Sequence, residues 1–567
     1  MPNPLRIDVP AALNPSPLAR PPALTQPASL THTATVCDPG TSLALYLPAT
    51  LRDVERAAAA KLPPHTLMAR AGAAVADWLY ARLPVLASAG RQPVLLLAGP
   101  GNNGGDAYVA AHDLHRRGVL VDVWQCAAPA TDDARWAHAQ AMTAGVPIRP
   151  APAVWPHPAT YAWIVDGLFG IGLSRPLDGA VAALVGNIAY AHAHGTPVLA
   201  IDIPSGLGAA TGMADGAVIH ADVTIAMLGA CPGLFTGKGR DVAGMVLVAS
   251  LGAEEALEAA PAAPAAPATP AARPTLATLA TSAPDVFGAD LPLRRHASHK
   301  GSYGSLAVLG GHPGMVGAPL LCARAGLMTG AGRVYVGFVA PDAPAWDPVH
   351  PELMLRAAED VDLAAMQAVC VGPGLGTSAA SAACLSRALS LEQTPLVIDA
   401  DALNLIAAHA SLAERVRRRA GPTILTPHPL EAARLAGCSV ADVESDRLSA
   451  ARSLAKRFGA VVVLKGSGSI VDDGAGAWIN TTGNAGLATA GTGDVLTGAI
   501  GALLAQGTPA NTAALAGVWL HGKAADRCVA EGAGPAGLTA SELLPAMRVE
   551  LAALSERGAR GATRTAT

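Results

Sequence analysis

Short runs of consecutive apolar residues recur along the chain, separated by stretches in which apolar residues return every three or four positions. In the first half, runs at 93–98 (PVLLLA), 119–124, 163–166, 198–203 and 223–227 predict strands. Helical periodicity at 51–60, 67–82, 106–117 and 180–194 predicts helices. The second half repeats the scheme, with strands at 305–309, 333–337, 368–371, 396–399, 422–425 and 461–465 and helices between them. Apolar runs without alternation mark strands buried on both faces, as happens when helices cover both sides of a parallel sheet. The pattern breaks at 256–272 (ALEAAPAAPAAPATPAA), where prolines interrupt any alanine helix and nothing can anchor a core. The expected organisation is a flexible extension over 1–40, an α/β domain over 41–250, a linker over 251–289 and a second α/β domain over 290–560.

Composition sharpens this picture. The chain has 567 residues, more than one domain's worth, with 51% hydrophobic, 4% aromatic and only 14% charged. A mean hydropathy of +0.35 raises the question of a membrane protein. Yet every apolar stretch breaks at Gly, Pro, Asp or Asn before the roughly 18 residues that a spanning helix needs. The formal net charge of −4 carries no basic footprint for nucleic acid. Eight cysteines without a C-x-x-C pair read as reduced, buried thiols and a cytoplasmic setting. The first 30 residues lack a basic start followed by an apolar core, so no secretory leader is expected.

The chemistry concentrates at strand ends. Strand 93–98 runs into Gly99-Pro100-Gly101-Asn102-Asn103-Gly104-Gly105-Asp106 and then a helix. Such a turn either offers backbone N–H groups to an anion at a helix start or is a tight turn capped by Asn and Asp. Two later loops, Val165–Pro176 (VDGLFGIGLSRP) and Ala200–Gly206 (AIDIPSG), end other strands of the same sheet. Asp106, Asp166 and Asp202 would then share one crevice with Asn103 and Ser205. Clustered oxygens of this kind suit a hard cation or general acid–base work, although any single Asp there is a good turn former.

In the second half, Asn484–Leu496 (NAGLATAGTGDVL) leads into an apolar helix at 495–506. Amides of 491–494 would cradle phosphate oxygens, and Asp494 beside them is placed to take a proton from a hydroxyl attacking phosphorus. An N-capping role is the plainer alternative for Asp494. Lys465-Gly466-Ser467-Gly468-Ser469 follows an apolar strand and could bring an ammonium and amides to a nucleotide phosphate, or be a solvated strand end. His428, between two prolines, is either a ligand contact or a hydrogen-bonded structural imidazole. His192 and His194 have no partner at metal-ligand spacing, and no zinc site is expected.

Two resemblances follow from these motifs. GPGNNGGDA, VDGLFGIGLSRP, AIDIPSG and the helix LMARAGAAVADWL resemble the NAD(P)H-hydrate epimerase domain, over about 43–248. The resemblance implies a Rossmann-like parallel-sheet fold. It implies that Asn102, Asn103, Gly104, Gly105, Asp106 and Gly170, Ile171, Gly172, Leu173, Ser174, Arg175, Pro176 hold the nucleotide together with Asp202. It also implies that Asn103, Asp166 and Ser205 hold a potassium ion and that Asp202 is the catalytic carboxylate. Ala107 stands where this family often has glycine. NAGLATAGTGDVL, together with SHKGSYGS, HPELMLR, VGPGLG, VIDADALN and LTPHPLEAARLAG, resembles the ribokinase-like NAD(P)H-hydrate dehydratases, over about 293–551. That implies that Ala318, Gly374, His428 and Asp494 contact the hydrated cofactor and that Lys465, Gly466, Ser467, Gly468, Ser469 and Gly493 contact ADP. It further implies that Asp494 is the base and that Mg2+ accompanies the ADP. Leu487 and Ala490 replace the usual Met and Gly.

The joint expectation is a two-domain α/β repair enzyme for hydrated NADH and NADPH. It would epimerise R and S hydrates and dehydrate the S form at the expense of ADP, as a cytoplasmic homo-oligomer with small-molecule partners, no nucleic acid and no membrane. The fused order and the Ala, Gly and Pro content suggest a GC-rich bacterial genome, which favours ADP over ATP. The alternative is a ribokinase-like vitamin or sugar kinase carrying a non-catalytic binding or dimerisation domain.

Overall fold

The computed structural model describes residues 35–36, 40–83, 92–152, 160–173, 175–260 and 279–564. Two sheets organise it. The first contains β1 (Thr35–Val36), β2 (Val94–Ala98), β3 (Val121–Gln125), β4 (Ile148–Pro150), β5 (Trp163–Gly167), β6 (Val198–Ile201), β7 (Val223–Met227) and β8 (Met245–Ala249). Their spatial order is β1-β8-β7-β6-β5-β2-β3-β4, parallel throughout except for the edge pair β1–β8. The second contains β9 (Leu279–Ser282), β10 (Ser305–Gly310), β11 (Arg333–Phe338), β12 (Met354–Ala357), β13 (Ala368–Val371), β14 (Leu396–Ile398), β15 (Thr423–Leu425), β16 (Val461–Leu464), β17 (Ile470–Asp472) and β18 (Ala477–Asn480). Its order is β12-β11-β10-β13-β14-β15-β16-β17-β18-β9, with antiparallel pairing only at β16–β17 and β17–β18.

The unbroken apolar runs have a simple cause. Val94, Leu96 and Ala98 of β2 enter one core, while Leu95 and Leu97 enter the core on the opposite face. Ala307 and Leu309 of β10 likewise oppose Leu306 and Val308. All nine are fully buried, so period-two alternation separates two cores rather than core from water. The core behind β2 is contiguous with the one holding Ala307 and Leu309, so the two halves share buried apolar surface.

Several boundaries differ from the sequence expectation. The linker predicted over 251–289 is structured at both described ends. Residues Glu254–Ala259 are helical, and Leu279–Ser282 close the second sheet as β9, paired with β18. A four-residue strand whose partner lies two hundred residues away leaves no periodic trace in the sequence. The core of the predicted linker, 261–278, lies outside the described residues, as do 1–34 and 37–39 of the predicted extension, although Thr35–Val36 pair with β8. The helix predicted from 106 starts at Asn102, and the one predicted from 495 starts at Thr492. Both glycine-rich segments therefore supply the first helical turn rather than a loop before it.

Chain order sets where ligands can go. From β2 the chain moves outward to β3 and β4, whereas from β5 it moves the other way to β6, β7 and β8. The segments leaving the adjacent strands β2 and β5 diverge and open a crevice at their carboxyl ends. In the second sheet the same reversal falls between β10 and β13. Among the described residues no helix is long and apolar enough to cross a membrane.

Candidate active sites

A cavity of about 680 Å³ opens at the reversal point of the first sheet. Its walls include Asn103, Asp106, Asp202, the stretch 170–173 and Arg175. Asp202 follows β6 and ends it with a left-handed backbone (φ 67°). That turn directs its carboxylate so that Oδ2 accepts the Ile171 N–H at 3.0 Å and Oδ1 the Met227 N–H at 3.4 Å. Burial pushes Asp202 up to about 6, against the two backbone hydrogen bonds, with Glu55 adding repulsion. Gly170 is required here, because a Cβ on it would lie 2.6 Å from Asp202 Oδ2. Asp106 is raised well above the usual carboxylate range by burial and by the neighbouring charges of Asp202, Glu55 and Asp133.

Other predicted residues fall differently. Asn102 lines the cavity, but its carboxamide accepts from Thr131 Oγ1 (2.7 Å) and donates to Glu55 (3.4 Å). Gly104 and Gly105 are turned into the protein: added Cβ atoms would lie 2.0 Å from the Gly99 carbonyl oxygen and 2.7 Å from Met68 Sδ. Gly104 lets the helix close on the end of β2, and Gly105 lets it close on Met68 and Ala134. Pro176 is not among the lining residues, and Ser174 lies outside the described residues. Asp166 and Ser205 are not among the lining residues and engage one another. Asp166 Oδ1 accepts Ser205 Oγ (2.7 Å) and the Leu168 N–H (3.2 Å), and Oδ2 accepts the Ser205 N–H (2.8 Å). Burial holds Asp166 at about 6 despite these bonds. Asn103 is the exception: neither polar atom of its buried carboxamide has a partner among the described residues.

Sequence reasoning missed part of this wall. Glu55, His65 and Asp133 come from helices or helix starts with no motif. His65, left-handed at φ 63°, stacks on Trp136 at 4.7 Å and pairs with Asp133 at 2.5 Å.

The second site lies at the carboxyl ends of β10, β13, β14 and β16. Lys465 ends β16, and its Nζ meets Asp399 Oδ1 at 2.8 Å and Glu431 Oε2 at 3.9 Å. Asp399 is fixed from its other oxygen by Thr497 Oγ1 at 2.7 Å. Burial alone would lower Lys465, but the opposing carboxylates leave it above its ordinary value. Its ammonium lies 3.4 Å from where a Cβ on Gly493 would sit, so the lysine reaches the first turn of the helix Thr492–Ala505. Asp494, in that turn, is pushed up to about 7 by burial and by Asp399, while Lys465 opposes the rise. Ala318 and Gly374 come from the two segments at the β10/β13 reversal and are neighbours: a Cβ on Gly374 would lie 3.2 Å from that of Ala318.

His428 takes the structural role in this geometry. Its Nδ1 caps the helix Pro429–Ala436, accepting the N–H groups of Leu430 (3.1 Å) and Glu431 (3.4 Å), and Glu431 Oε2 in turn accepts the His428 N–H (2.9 Å). The ring is still 44% exposed, which leaves a face open to a ligand. Burial pushes Glu431 up to about 7. Ser467 and Gly468 turn toward the first domain rather than the site. Asp399, Asp401, Glu431 and Thr497 carry no prediction from sequence, although Asp399 and Asp401 stand in VIDADALN at a strand end. His521 was also unforeseen. It is hydrogen-bonded to the Thr492 backbone, burial pushes it down to about 4, and its Nε2 has no partner among the described residues.

Comparison with known proteins follows the same division. Residues 64–233 match the family model described as YjeF-related protein N-terminus, and residues 306–547 match that described as NAD(P)H-hydrate dehydratase. The chain is 39% identical over 85% of its length to a bifunctional NAD(P)H-hydrate repair enzyme of Vibrio cholerae, covering 92% of that protein. It is 36% identical over 89% of its length to the enzyme of that name from Coxiella burnetii, covering 99% of it. An ADP-dependent (S)-NAD(P)H-hydrate dehydratase of Neisseria meningitidis is 47% identical over 47% of this chain and 89% of its own length. A crystal structure of an ADP/ATP-dependent NAD(P)H-hydrate dehydratase from Bacillus subtilis, at 30% identity, covers 48% of this chain and 96% of that one, with a TM-score of 0.41.

Proposed function

The chain belongs to the bifunctional NAD(P)H-hydrate repair enzymes, and from that premise we propose how its two sites divide the chemistry. The substrates are NADH and NADPH that have added water at C6 of the nicotinamide ring, as R and S epimers. The enzyme interconverts the epimers and dehydrates the S form with ADP. The first domain is the epimerase. Asp202 moves the proton at the hydroxylated carbon, and Asn103 with 170–175 orients the nucleotide. Its carboxylate is held by backbone N–H groups of two different segments, so it is fixed in place before substrate arrives.

Potassium belongs in this reading through Asn103. A buried carboxamide oxygen without a partner among the described residues suits a hard cation, and Asp166 and Ser205 would be its further oxygen donors. Such an ion would supply fixed positive charge for phosphates and the surrounding backbone.

In the second domain, Asp494 takes the proton of the C6 hydroxyl as that oxygen bonds to the β-phosphorus of ADP. The bond from that phosphorus to the bridging oxygen breaks, and AMP leaves. The C6–O bond then breaks with phosphate taking the electron pair, a ring proton is lost, and the double bond returns. Phosphorylation converts a poor leaving group into a good one. Lys465 and the amides of Gly491–Asp494 would receive the phosphate charge. Mg2+ brought with the nucleotide would offset charge on the transferring group. Such an ion keeps several waters and needs only one or two carboxylates, and Asp401 and Glu431, both within electrostatic reach of Asp494, are available donors. The unpaired state of all seven described cysteines supports a cytoplasmic location.

The observation that carries the reading is Asp494, half-buried at a helix start beside Lys465 and raised to about 7, where a carboxylate is both ionisable and basic. The deciding assay uses mixed R and S hydrates with ADP or ATP, in potassium or tetramethylammonium salts. Repair predicts that both epimers are consumed, with AMP and free phosphate released and reduced-cofactor absorbance restored. Loss of potassium should slow R-hydrate consumption alone. A stable phosphorylated product would overturn the assignment in favour of a small-molecule kinase.

A further inference from the structure

One segment of the first domain reaches both loops of the second site. The chain leaves β7, whose Met227 N–H donates to Asp202, passes Pro232–Leu234 and presents 235–240 to the second domain. Thr236 is 1% exposed. Its hydroxyl lies 3.1 Å from the Ser467 carbonyl oxygen and 3.3 Å from that of Gly468, and it accepts Arg447 Nε at 3.2 Å. The Gly237 N–H also donates to the Ser467 carbonyl (3.1 Å), and Ser467 Oγ donates back to the Gly237 carbonyl (2.9 Å). The approach is backbone to backbone: a Cβ on Gly468, whose φ is +64°, would lie 2.0 Å from the Phe235 carbonyl oxygen.

Arg447 completes the clasp from within the second domain. It is 2% exposed and donates to the carbonyls of Leu464 (3.4 Å) and Lys465 (3.2 Å). A Cβ on Gly466 would lie 2.7 Å from its guanidinium. Arg240, four residues beyond Thr236, spans to the other loop. Its guanidinium donates to the carbonyls of Asn480 (3.4 Å), Thr482 (3.0 Å) and Gly483 (2.8 Å). Gly483 and Asn484 are held from the opposite side by Asp526 and lead into the segment that ends at Asp494.

We propose that Thr236 and Arg240 of the first domain, acting with Arg447, are positioning residues for nucleotide use by the second. The proposal rests on the reading of 465–469 and 491–494 as nucleotide loops. In a planar trans peptide the carbonyl and the following N–H point in opposite directions. Holding the Ser467 and Gly468 carbonyls toward Thr236 therefore turns the N–H groups of Gly468 and Ser469 away from the first domain, free to meet an anion. A loop carrying glycines at 466 and 468 would otherwise sample many backbone states, and ordering it would weaken nucleotide binding. The first domain removes that cost in advance. Thr236 touches neither nucleotide nor hydrate and acts only through the loop.

The test uses the full-length chain and the variants Thr236→Val, Thr236→Ser and Arg240→Met. Thr236→Val should raise the KM for ADP about fivefold, the effect of one buried hydrogen-bonding group, while R-hydrate epimerisation is unaffected. Thr236→Ser, which keeps the hydroxyl, should restore the KM. Without nucleotide, amide exchange at 466–469 should accelerate in Thr236→Val, and at 482–484 in Arg240→Met. Unchanged KM and unchanged exchange in a folded Thr236→Val chain would overturn the positioning role. If that variant fails to fold, as loss of epimerisation would reveal, the same two readouts on Arg240→Met decide. Failure of the unmodified chain to bind ADP by calorimetry would instead overturn the reading of these segments as nucleotide loops.

Discussion

Asp202 directly follows a strand of the first sheet, whereas Asp494 lies in the first turn of a helix of the second domain, and the two carboxylates are built differently. Asp202 is held by two backbone N–H groups, with Glu55 and Asp106 as acidic neighbours. Asp494 is surrounded by side-chain charges: Asp399, Asp401 and Glu431 raise it, and Lys465 pulls it down. Burial is the largest cause of the shift in both, but the second cause is main-chain geometry in one and a charge cluster in the other. A carboxylate held by backbone follows the shape of the fold. One held in a charge cluster can be retuned by a single substitution.

Removing the carboxylates breaks the comparison most strongly. Asp494→Asn should lower ADP-dependent dehydration by about 10²–10⁴-fold, the range for a lost general base, with epimerisation intact. Asp202→Asn should leave R hydrate to its spontaneous epimerisation while S hydrate is still repaired. Chromatography of both epimers with time separates the two, and a variant that lost both reactions would contradict independent sites.

A smaller effect tests the backbone-built site. Gly170→Ala places a Cβ 2.6 Å from Asp202 Oδ2, so the carboxylate must move. Epimerisation should fall about tenfold or more, since small misplacements of a reacting group are costly, and dehydration should not respond. Epimerisation equal to that of the unmodified chain would show that Asp202 is not held as tightly as its two N–H donors imply.

The smallest effect is in pH. Each carboxylate must be ionised to take a proton, so each rate falls as pH drops through the pKa of its group. Dehydration should lose activity below about 7 and epimerisation only below about 6. Lys465→Met removes a charge that lowers Asp494, so the acid limb of dehydration should move to higher pH while that of epimerisation stays. A limb that moved down or stayed put would show that Lys465 does not act on Asp494 by charge.

Much of this was legible in sequence, for local reasons. Strands such as β2 and β10 are apolar on both faces, and Asn103, Gly170, Asp202 and Asp494 lie in strings short enough to recognise. Helix starts were misjudged by a few residues because Asn-Asn-Gly-Gly and Thr-Gly-Asp have low helix propensity, and packing against Gly99 or a place beside Lys465 overrides it. Gly104 and Gly105 looked ligand-facing because glycine serves close approach to a ligand and close approach to backbone equally well. The strand Leu279–Ser282 was hidden because its pairing is entirely long-range.

The amino-acid sequence by itself determined two α/β domains, their order and the carboxylates in their glycine-rich motifs, since periodicity and short motifs are properties of neighbouring residues. Tertiary structure decided which charges surround those carboxylates and which backbone groups hold them. Glu55 and Asp133 beside Asp106, and Asp399 and Glu431 beside Lys465, meet only through folding. So do Thr236 and the 465–469 loop, separated by more than two hundred positions along the chain. Electrostatic energy and hydrogen bonding depend on distance and burial in space, and neither can be read from separation along the chain.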